Sequence, residues 1–301
     1  MKSGRCRLRT LGFWALLLVV SLFAEGTQGA VHTDEAGRRV EIIGRPSRIV
    51  SLAPSITECL FALGADEEVV GVTRFSNYPP RVASRPKVGT YVNVNAERVI
   101  GLRPDLVIAI RDGNPRAVVE RLAAVGIPVY VVDPRNLEDL FEMVKDLGAL
   151  LQRQDEAAKL LAELSERLRW IRARVAGRGR PRVLLQVGID PLVSVSRGTL
   201  QDHLIDLAGG HNIATAAPVL YPALSIESVL EARPEVILVS SMVGETDATL
   251  ELQKWRRWKA LPAVGNDRLF VINGDLIDRP SPRVLAGLEE MARLIHPEAF
   301  N

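Results

Sequence analysis

The pattern of apolar and polar positions changes character twice along the chain. Between positions 48 and 133, short apolar runs alternate with stretches of helical period. Residues 48–52 (RIVSL), 69–73 (VVGVT), 105–110 (DLVIAI) and 128–133 (PVYVVD) are continuous apolar runs of the buried-strand type. Residues 55–63 and 116–125 carry helical spacing. The first of these pairs Ser55 with Glu58 as a capping box and has Gly64 as its stop. Strand, helix, strand in this rhythm predicts a parallel sheet covered by helices.

The rhythm breaks in the middle. Leu137, Leu140, Phe141, Val144, Leu147 and Leu151 recur at spacings of three and four. So do Ala157, Leu160, Leu164, Leu168, Ile171 and Val175. The second run, over 154–176, predicts a helix roughly 35 Å long that stops at the Gly- and Pro-rich 177–181. After Pro181 the alternation resumes. Strands are expected at 182–187, 193–196, 235–241 and 268–273, and helices at 199–208 and 283–295.

One segment occurs twice. Residues 96–110 read AERVIGLRPDLVIAI and residues 226–240 read IESVLEARPEVILVS, so that Glu97, Val99 and Arg103-Pro104 match Glu227, Val229 and Arg233-Pro234. One copy lies on each side of the long helix. The expected fold class is therefore α/β, with two Rossmann-like lobes joined by a single long α-helix. The expected division is an N-terminal lobe at 31–150, an interlobe helix at 151–180 and a C-terminal lobe at 181–301.

Residues 1–30 stand apart. Lys2, Arg5, Arg7 and Arg9 precede an apolar stretch at 11–24, and small residues follow at Gly26, Thr27, Gly29 and Ala30. The stretch is short for a bilayer span, and the arrangement is that of a secretory signal peptide, with an uncleaved anchor as the other reading. The segment also changes the charge. The whole chain has a formal net charge of +2, but the first thirty residues hold four basic residues and one acid, leaving 34 basic against 35 acidic. Such a balance gives no nucleic-acid footprint. Cys6 falls in the basic segment, which leaves Cys59 alone, a buried thiol in a chain held by its core without a disulfide.

No GxGxxG, GxxxxGK[ST] or GxSxG is present, so the simplest dinucleotide, P-loop and hydrolase readings have no support. His32, His203, His211 and His296 lack a second ligand at metal spacing and read as ordinary polar or capping residues. No catalytic and no metal residue is expected. An exported α/β enzyme stands as the reading from another class. In parallel sheets, ligands collect beyond the carboxyl ends of the strands. Aromatics make up 5% of the chain, yet Phe75, Tyr78, Tyr91 and Tyr221 all fall in such loops. Tyr78, just before Pro79-Pro80, reads as turn packing. Phe75, Tyr91 and Tyr221 suit a large, partly flat ligand. Trp255 and Trp258 read as packing residues. Glu97 and Glu227 each follow a capping residue, Asn95 or Ser225, and the helix dipole favours an acid there. The duplication also places one such acid on each lobe, where a symmetric basic partner would meet both.

The stretches RIVSLAPSITECLFALGA, VVGVTRFSNYPP, NAERVIGLRPDLVIAIRDGN, LAGGHNIA, SIESVLEARPEVILVS and RPSPRVLAGLEEMARLI resemble the periplasmic binding proteins of importers for iron–siderophores, haem and vitamin B12, most of all the vitamin B12 branch. The likeness runs from about Arg48 to the end. It implies a monomeric, non-enzymatic periplasmic receptor whose lobes hinge modestly about a helical backbone. It implies docking of Glu97 and Glu227 onto arginines of an ABC importer's permease dimer, which works with ATPase subunits. It also implies a ligand cleft with Phe75, Tyr91 and Tyr221 as aromatic faces and Asp275 and Arg279 as polar contacts. The transported ligand is then cobalamin or a related corrinoid, with haem or a ferric siderophore as the other reading; for haem, Tyr91 or Tyr221 offers an iron ligand. At Ile110 and Leu276 the chain departs from the B12 branch, which has tryptophan at both positions.

Overall fold

The computed structural model describes residues 29–300. The basic and apolar part of the expected signal peptide, with Cys6, lies outside the described residues. Gly29 and Ala30 already belong to the fold. Strand β1 (Gly29–Thr33) pairs antiparallel with β2 (Arg39–Ile43), and Gly29 sits opposite Ile43.

The first lobe is built on β3 (Ile49–Ser51), β4 (Val69–Val72), β5 (Leu106–Ile110) and β6 (Val129–Val132), all parallel, in the order β4-β3-β5-β6. Their runs are apolar on both faces because both faces are covered. Ile49, Leu106, Ile108 and Val132 enter one core cluster, while Val50, Val107, Ala109 and Val131 enter another. The connecting helices are α1 (Pro54–Ala62), α2 (Ala96–Gly101) and α3 (Arg116–Ala124).

Helix α1 departs from the expected capping box. Pro54 occupies its first turn, Ala53 is the residue before it, and no side chain caps it. Proline is suited to the first helical position because its φ is preset and its missing N–H is one the helix would not use. Glu58 is thus released from capping and points elsewhere.

Helix α4 (Leu137–Leu150) folds back onto α5 (Gln154–Val175), with Gly148 so close to Ala157 that a Cβ would come within 2.5 Å of it. Ala157, Leu164 and Ile171 form the buried stripe of α5. Its 22 residues agree with the periodicity and give a rod of about 33 Å.

The second sheet contains β7 (Arg182–Gly188), β8 (Val193–Ser194), β9 (His211–Asn212), β10 (Val236–Ser240) and β11 (Leu269–Ile272). β7 lies beside β10, which lies beside β11, all parallel; on its other side β7 pairs with β9 and, antiparallel, with β8. Helices α6 (Leu200–Leu207), α7 (Ile226–Ala232), α8 (Glu245–Trp255), α9 (Pro262–Gly265), α10 (Gly274–Ile277) and α11 (Val284–Ile295) complete this half. Val183, Leu185, Val236 and Leu238 share the core cluster of the first lobe's inner face, joined to it through α4, α5 and α11. Leu184, Ile237 and Val239 face a separate outer cluster with Trp255, whose indole N–H donates to Gln186 Oε1 at 2.8 Å. Trp255 is thus a packing residue, as expected, and Cys59 is buried, which pushes its thiol pKa up.

The internal repeat is a structural one. Asn95 caps α2 by accepting from the Arg98 N–H, and Ser225 caps α7 by accepting from the Ser228 N–H. Arg103 and Arg233 both take a left-handed conformation, at φ 47° and 49°. Arg48 and Arg182 then play one role: each accepts at its carbonyl from the N–H of an acid, Asp105 or Glu235, and returns its own N–H to that carboxylate. Each also donates its guanidinium to a carbonyl at the preceding helix end, that of Arg103 or Arg233.

Candidate functional site

In both sheets the chain leaves the first strand in two directions, and the crevice beyond the strand ends at such a switch point is where ligands settle. In the first lobe the switch lies between β3 and β5. Asn114 organises it: its Oδ1 accepts from the Ile110 N–H at 2.7 Å, and its amide donates to Leu52 O at 2.9 Å and Tyr91 O at 2.6 Å. One buried side chain therefore fixes three strand-end segments together.

Tyr91 stands at the tip of a tight loop closed by Gly89 and Val94. Its ring lies over Gly113, where a Cβ would come 2.5 Å from two ring carbons; Gly113 also holds φ +134°. Only glycine allows the ring to lie there. In the second lobe, Tyr221 belongs to a loop pinned to β8 and the residues after it, with the Ser194 N–H donating to Pro222 O, the Ser196 N–H to Leu220 O and the Ser196 hydroxyl to Val219 O. Burial pushes the Tyr221 phenol up to about 12, and the charges of Asp112 and Asp278 and nearby Tyr91 add to the effect. Tyr91 and Tyr221 thus stand on opposite lobes within electrostatic reach of each other. They keep 38% and 46% of their surface exposed, as a waiting contact surface would. Between the lobes here, Ile110, Leu220, Tyr221 and Asp278 line a cavity of about 90 Å³. Burial raises the Asp278 carboxyl to about 6, although Gln201 and Ser240 both donate to it.

The other three expected contacts form a second group. Phe75 is 52% exposed, on the turn after β4. Arg279 reaches from the second lobe to Glu58 Oε1 at 2.9 Å and to Asn77 Oδ1 at 2.7 Å, and it pairs with Asp275 at 2.5 Å. Asn77 in turn donates to Asp275 at 3.1 Å. The Ser281 hydroxyl donates to Glu58 Oε2 at 2.6 Å, and Arg283 reaches Glu58 Oε1 at 3.1 Å while stacking on the Tyr78 ring at 4.0 Å. Asp275 and Arg279 are therefore tied into a cross-lobe network in this structure. Glu58 is its centre, with 2% of its side chain exposed. By spacing alone, three residues after Ser55, Glu58 reads as a helix-cap residue. The signal that remained was an acid inside an otherwise apolar helix.

Glu97 and Glu227 occupy matching surface positions in the first turns of α2 and α7. Both carboxyls sit below the usual range, Glu97 through its own N–H and Arg121, Glu227 through its own N–H and the Ser225 hydroxyl. They differ in one respect: Arg121 pairs with Glu97 at 2.6 Å. Among the described residues, no ion pair involves Glu227. No group of three or more His, Cys, Asp or Glu that could hold a metal occurs there either, and no helix is long and apolar enough to cross a membrane.

Two α/β lobes on a helical strut, with a cleft at their facing strand ends, define a two-lobed solute-binding architecture. The chain belongs to the periplasmic binding protein family, whose sequence model matches residues 49–276. It is 30% identical over 249 residues to the vitamin B12-binding protein of Pectobacterium carotovorum, covering 82% of this chain and 87% of that one. The crystal structure of the periplasmic vitamin B12-binding protein of Vibrio cholerae superposes with a TM-score of 0.77 at 30% identity, over 85% of this chain and 98% of the other. A periplasmic haem-binding protein of Pseudomonas aeruginosa gives 0.75 at 29% identity, over 84% and 93%.

Proposed function

We propose that this protein is the periplasmic receptor of an ABC importer, that it acts as a binding protein and not as an enzyme, and that it carries a corrinoid such as cobalamin between its lobes. The observation that carries this reading is that Tyr91 and Tyr221, both exposed, stand on opposite lobes beside the switch-point crevice within electrostatic reach of each other, where two aromatic faces suit a broad, flat ligand. The likeness to B12-binding proteins over four fifths of the chain supports the same ligand. Phe75 supplies a further aromatic face, next to Asp275 and Arg279, which supply polar contacts.

The cavity beside Tyr221, about 90 Å³, is below the 300–1,000 Å³ of ordinary ligand pockets. Ligand entry then requires the lobes to part, by bending about α5. Haem is the second reading, favoured by the likeness to haem-binding structures and by the two phenols. The raised pKa of Tyr221 works against its ready use as a phenolate ligand. Glu97 and Glu227, one acid per lobe, serve as docking contacts for a symmetric permease dimer.

Calorimetric titration of the protein lacking residues 1–28 with cyanocobalamin, dicyanocobinamide, haemin and a ferric siderophore tests the reading. Saturable 1:1 binding of a corrinoid is the expected result. Binding of haemin alone, with a Soret band altered by Tyr91→Phe or Tyr221→Phe, replaces it with the haem reading.

A further inference from the structure

The two lobes are joined unequally at their edges. One edge is the buried cluster around Glu58. This acid belongs to α1 of the first lobe, yet among the described residues every partner of its carboxylate comes from the second lobe. Arg279 and Arg283 reach Oε1 at 2.9 and 3.1 Å, and the Ser281 hydroxyl reaches Oε2 at 2.6 Å. The turn after β4 is held in the same cluster. Asn77 accepts from Arg279 at 2.7 Å and donates to Asp275 at 3.1 Å, and the Arg283 guanidinium lies 4.0 Å from the centre of the Tyr78 ring.

The other edge is loose. Among the described residues, the other ion pair that runs directly between the lobes joins His203 of α6 to Glu138 of α4 at 3.4 Å, and the side chain of that acid is 71% exposed. The lobes already stand apart there, with a space of about 510 Å³ between the start of α4 and α6 with β9. An exposed pair contributes little, whereas a buried carboxylate stripped of its donors is strongly destabilising. Relative motion of the lobes therefore breaks the His203–Glu138 edge well before it breaks the Glu58 cluster.

The strut is the second attachment. Its start packs on α4, with Ala157 against Gly148, and its second half packs on α11, where Arg167 pairs with Glu289 at 2.9 Å. Apolar side chains of both lobes and of α5 share one core cluster. Two bodies joined along a strut and held together at one further place keep one easy motion, a rotation about the line through the two attachments.

We infer that the Glu58 cluster is a pivot: it stays closed while the lobes rotate about a line from Glu58 to α5, and the His203–Glu138 edge is the one that opens. The inference concerns the motion and holds whichever ligand lies between the lobes. Residues 278–281 carry the pivot to the cleft. Asp278 and Pro280 line the cavity beside Tyr221, while Arg279 and Ser281, alternating with them, bind Glu58. Asp275 and Arg279 therefore keep their place against the first lobe during the motion, and Tyr91 and Tyr221 change theirs. The polar part of the proposed contact set is preformed, and the aromatic part closes on the ligand.

The test uses the ligand-free protein lacking residues 1–28, with nitroxide labels at Val92→Cys and Val219→Cys. These valines lie close in sequence to Tyr91 and Tyr221, each is 56% exposed, and the native Cys59 is buried and stays unlabelled. Double electron–electron resonance is expected to give one narrow distance distribution. Glu58→Gln keeps the shape of the side chain and removes the charge that holds two guanidiniums, and it is expected to broaden the distribution toward longer distances. Glu138→Ala is expected to leave the width unchanged. Wild-type width in a folded Glu58→Gln, or equal broadening by Glu138→Ala, overturns the inference. Where Glu58→Gln does not fold, Asn77→Ala decides. Asn77 is exposed, and its loss frees Arg279 and Asp275 from the turn while leaving Glu58 paired. Broadening with an unchanged circular dichroism spectrum supports the pivot, and wild-type width overturns it. Failure of the corrinoid titration would sink the proposed ligand and leave this result standing.

Discussion

The guanidinium of Arg279 lies 2.9 Å from Glu58 Oε1, across the boundary between the two lobes. Only 14% of the arginine side chain is exposed, and the carboxylate has Arg283 and Ser281 as further partners from the same lobe. Removing one side of a buried pair leaves an uncompensated charge, at a cost of about 3–5 kcal/mol. Glu58→Ala strands both arginines and is expected to reach that range. Arg279→Ala leaves Glu58 with Arg283 and Ser281 and is expected to cost less. Urea denaturation monitored by tryptophan fluorescence measures both, and a loss below about 1 kcal/mol for Glu58→Ala rules the buried network out as a stabilising contact.

The aromatic rim gives a separate prediction. Tyr91→Ala and Tyr221→Ala each remove an exposed ring, so stability changes little while corrinoid affinity falls about tenfold, in line with stacking contributions of about 0.5–1.5 kcal/mol beyond area burial. Gly113→Ala acts on the same rim from below. A methyl at Gly113 meets the Tyr91 ring in a backbone conformation that alanine resists. It is expected to lower both the melting temperature and the affinity, as calorimetry of melting and of binding would register. Wild-type affinity in Gly113→Ala would mean that Tyr91 does not contact the ligand.

Glu97 and Glu227, the acids proposed for docking, are equivalent in place and unequal in partner. Charge reversal at Glu97 together with Glu227 is expected to abolish uptake by permease-containing vesicles and to leave the ligand Kd unchanged. Arg121 already offsets Glu97. Glu227→Arg alone is therefore expected to impair uptake more than Glu97→Arg alone, and Arg121→Ala to strengthen permease association. Normal uptake by the double variant would reduce both acids to helix-dipole residues.

Stability depends on pH through Glu35. Burial raises its pKa from 4.5 to about 7, and the nearby Asp133 charge adds to this, against a lowering contribution from the Asp133 N–H. The folded state thus holds a proton that the unfolded chain releases near 4.5. From there up to about pH 7 the unfolded state binds fewer protons, so stability falls as pH rises through that window. Glu35→Gln removes the titration and keeps an acceptor for the Asp133 N–H. The variant is expected to melt above wild type at pH 8, by on the order of 1 kcal/mol after solvent screening of this half-buried group, and level with it at pH 4. Equal melting temperatures at pH 8 would contradict this account.

The sequence alone determined the lobes and the strut. Strands buried on both faces read as unbroken apolar runs, as at 106–110 and 236–240, and a long amphipathic helix reads as spacings of three and four, as from Ala157 to Ile171. The caps at Asn95 and Ser225 were legible because a cap is satisfied within three residues of itself. The same locality misled at Glu58, where Ser55 and Glu58 have the capping spacing but Pro54 already starts the helix.

Tertiary structure decided everything that depends on residues far apart in the chain. Glu58 and Arg279 are separated by 221 positions and Asn77 and Asp275 by 198, and no periodicity connects them. Tyr91 and Tyr221 were legible as loop aromatics, yet only the packing of the lobes on α5 brings them to one crevice. Arg121 beside Glu97 follows from α3 lying against α2, not from the repeat, which is why the duplication showed two equal acids and the fold made them unequal. Local spacing encodes elements because their hydrogen bonds close within a few residues. A site assembled from two lobes is set by which faces pack together, and that is a property of the folded chain.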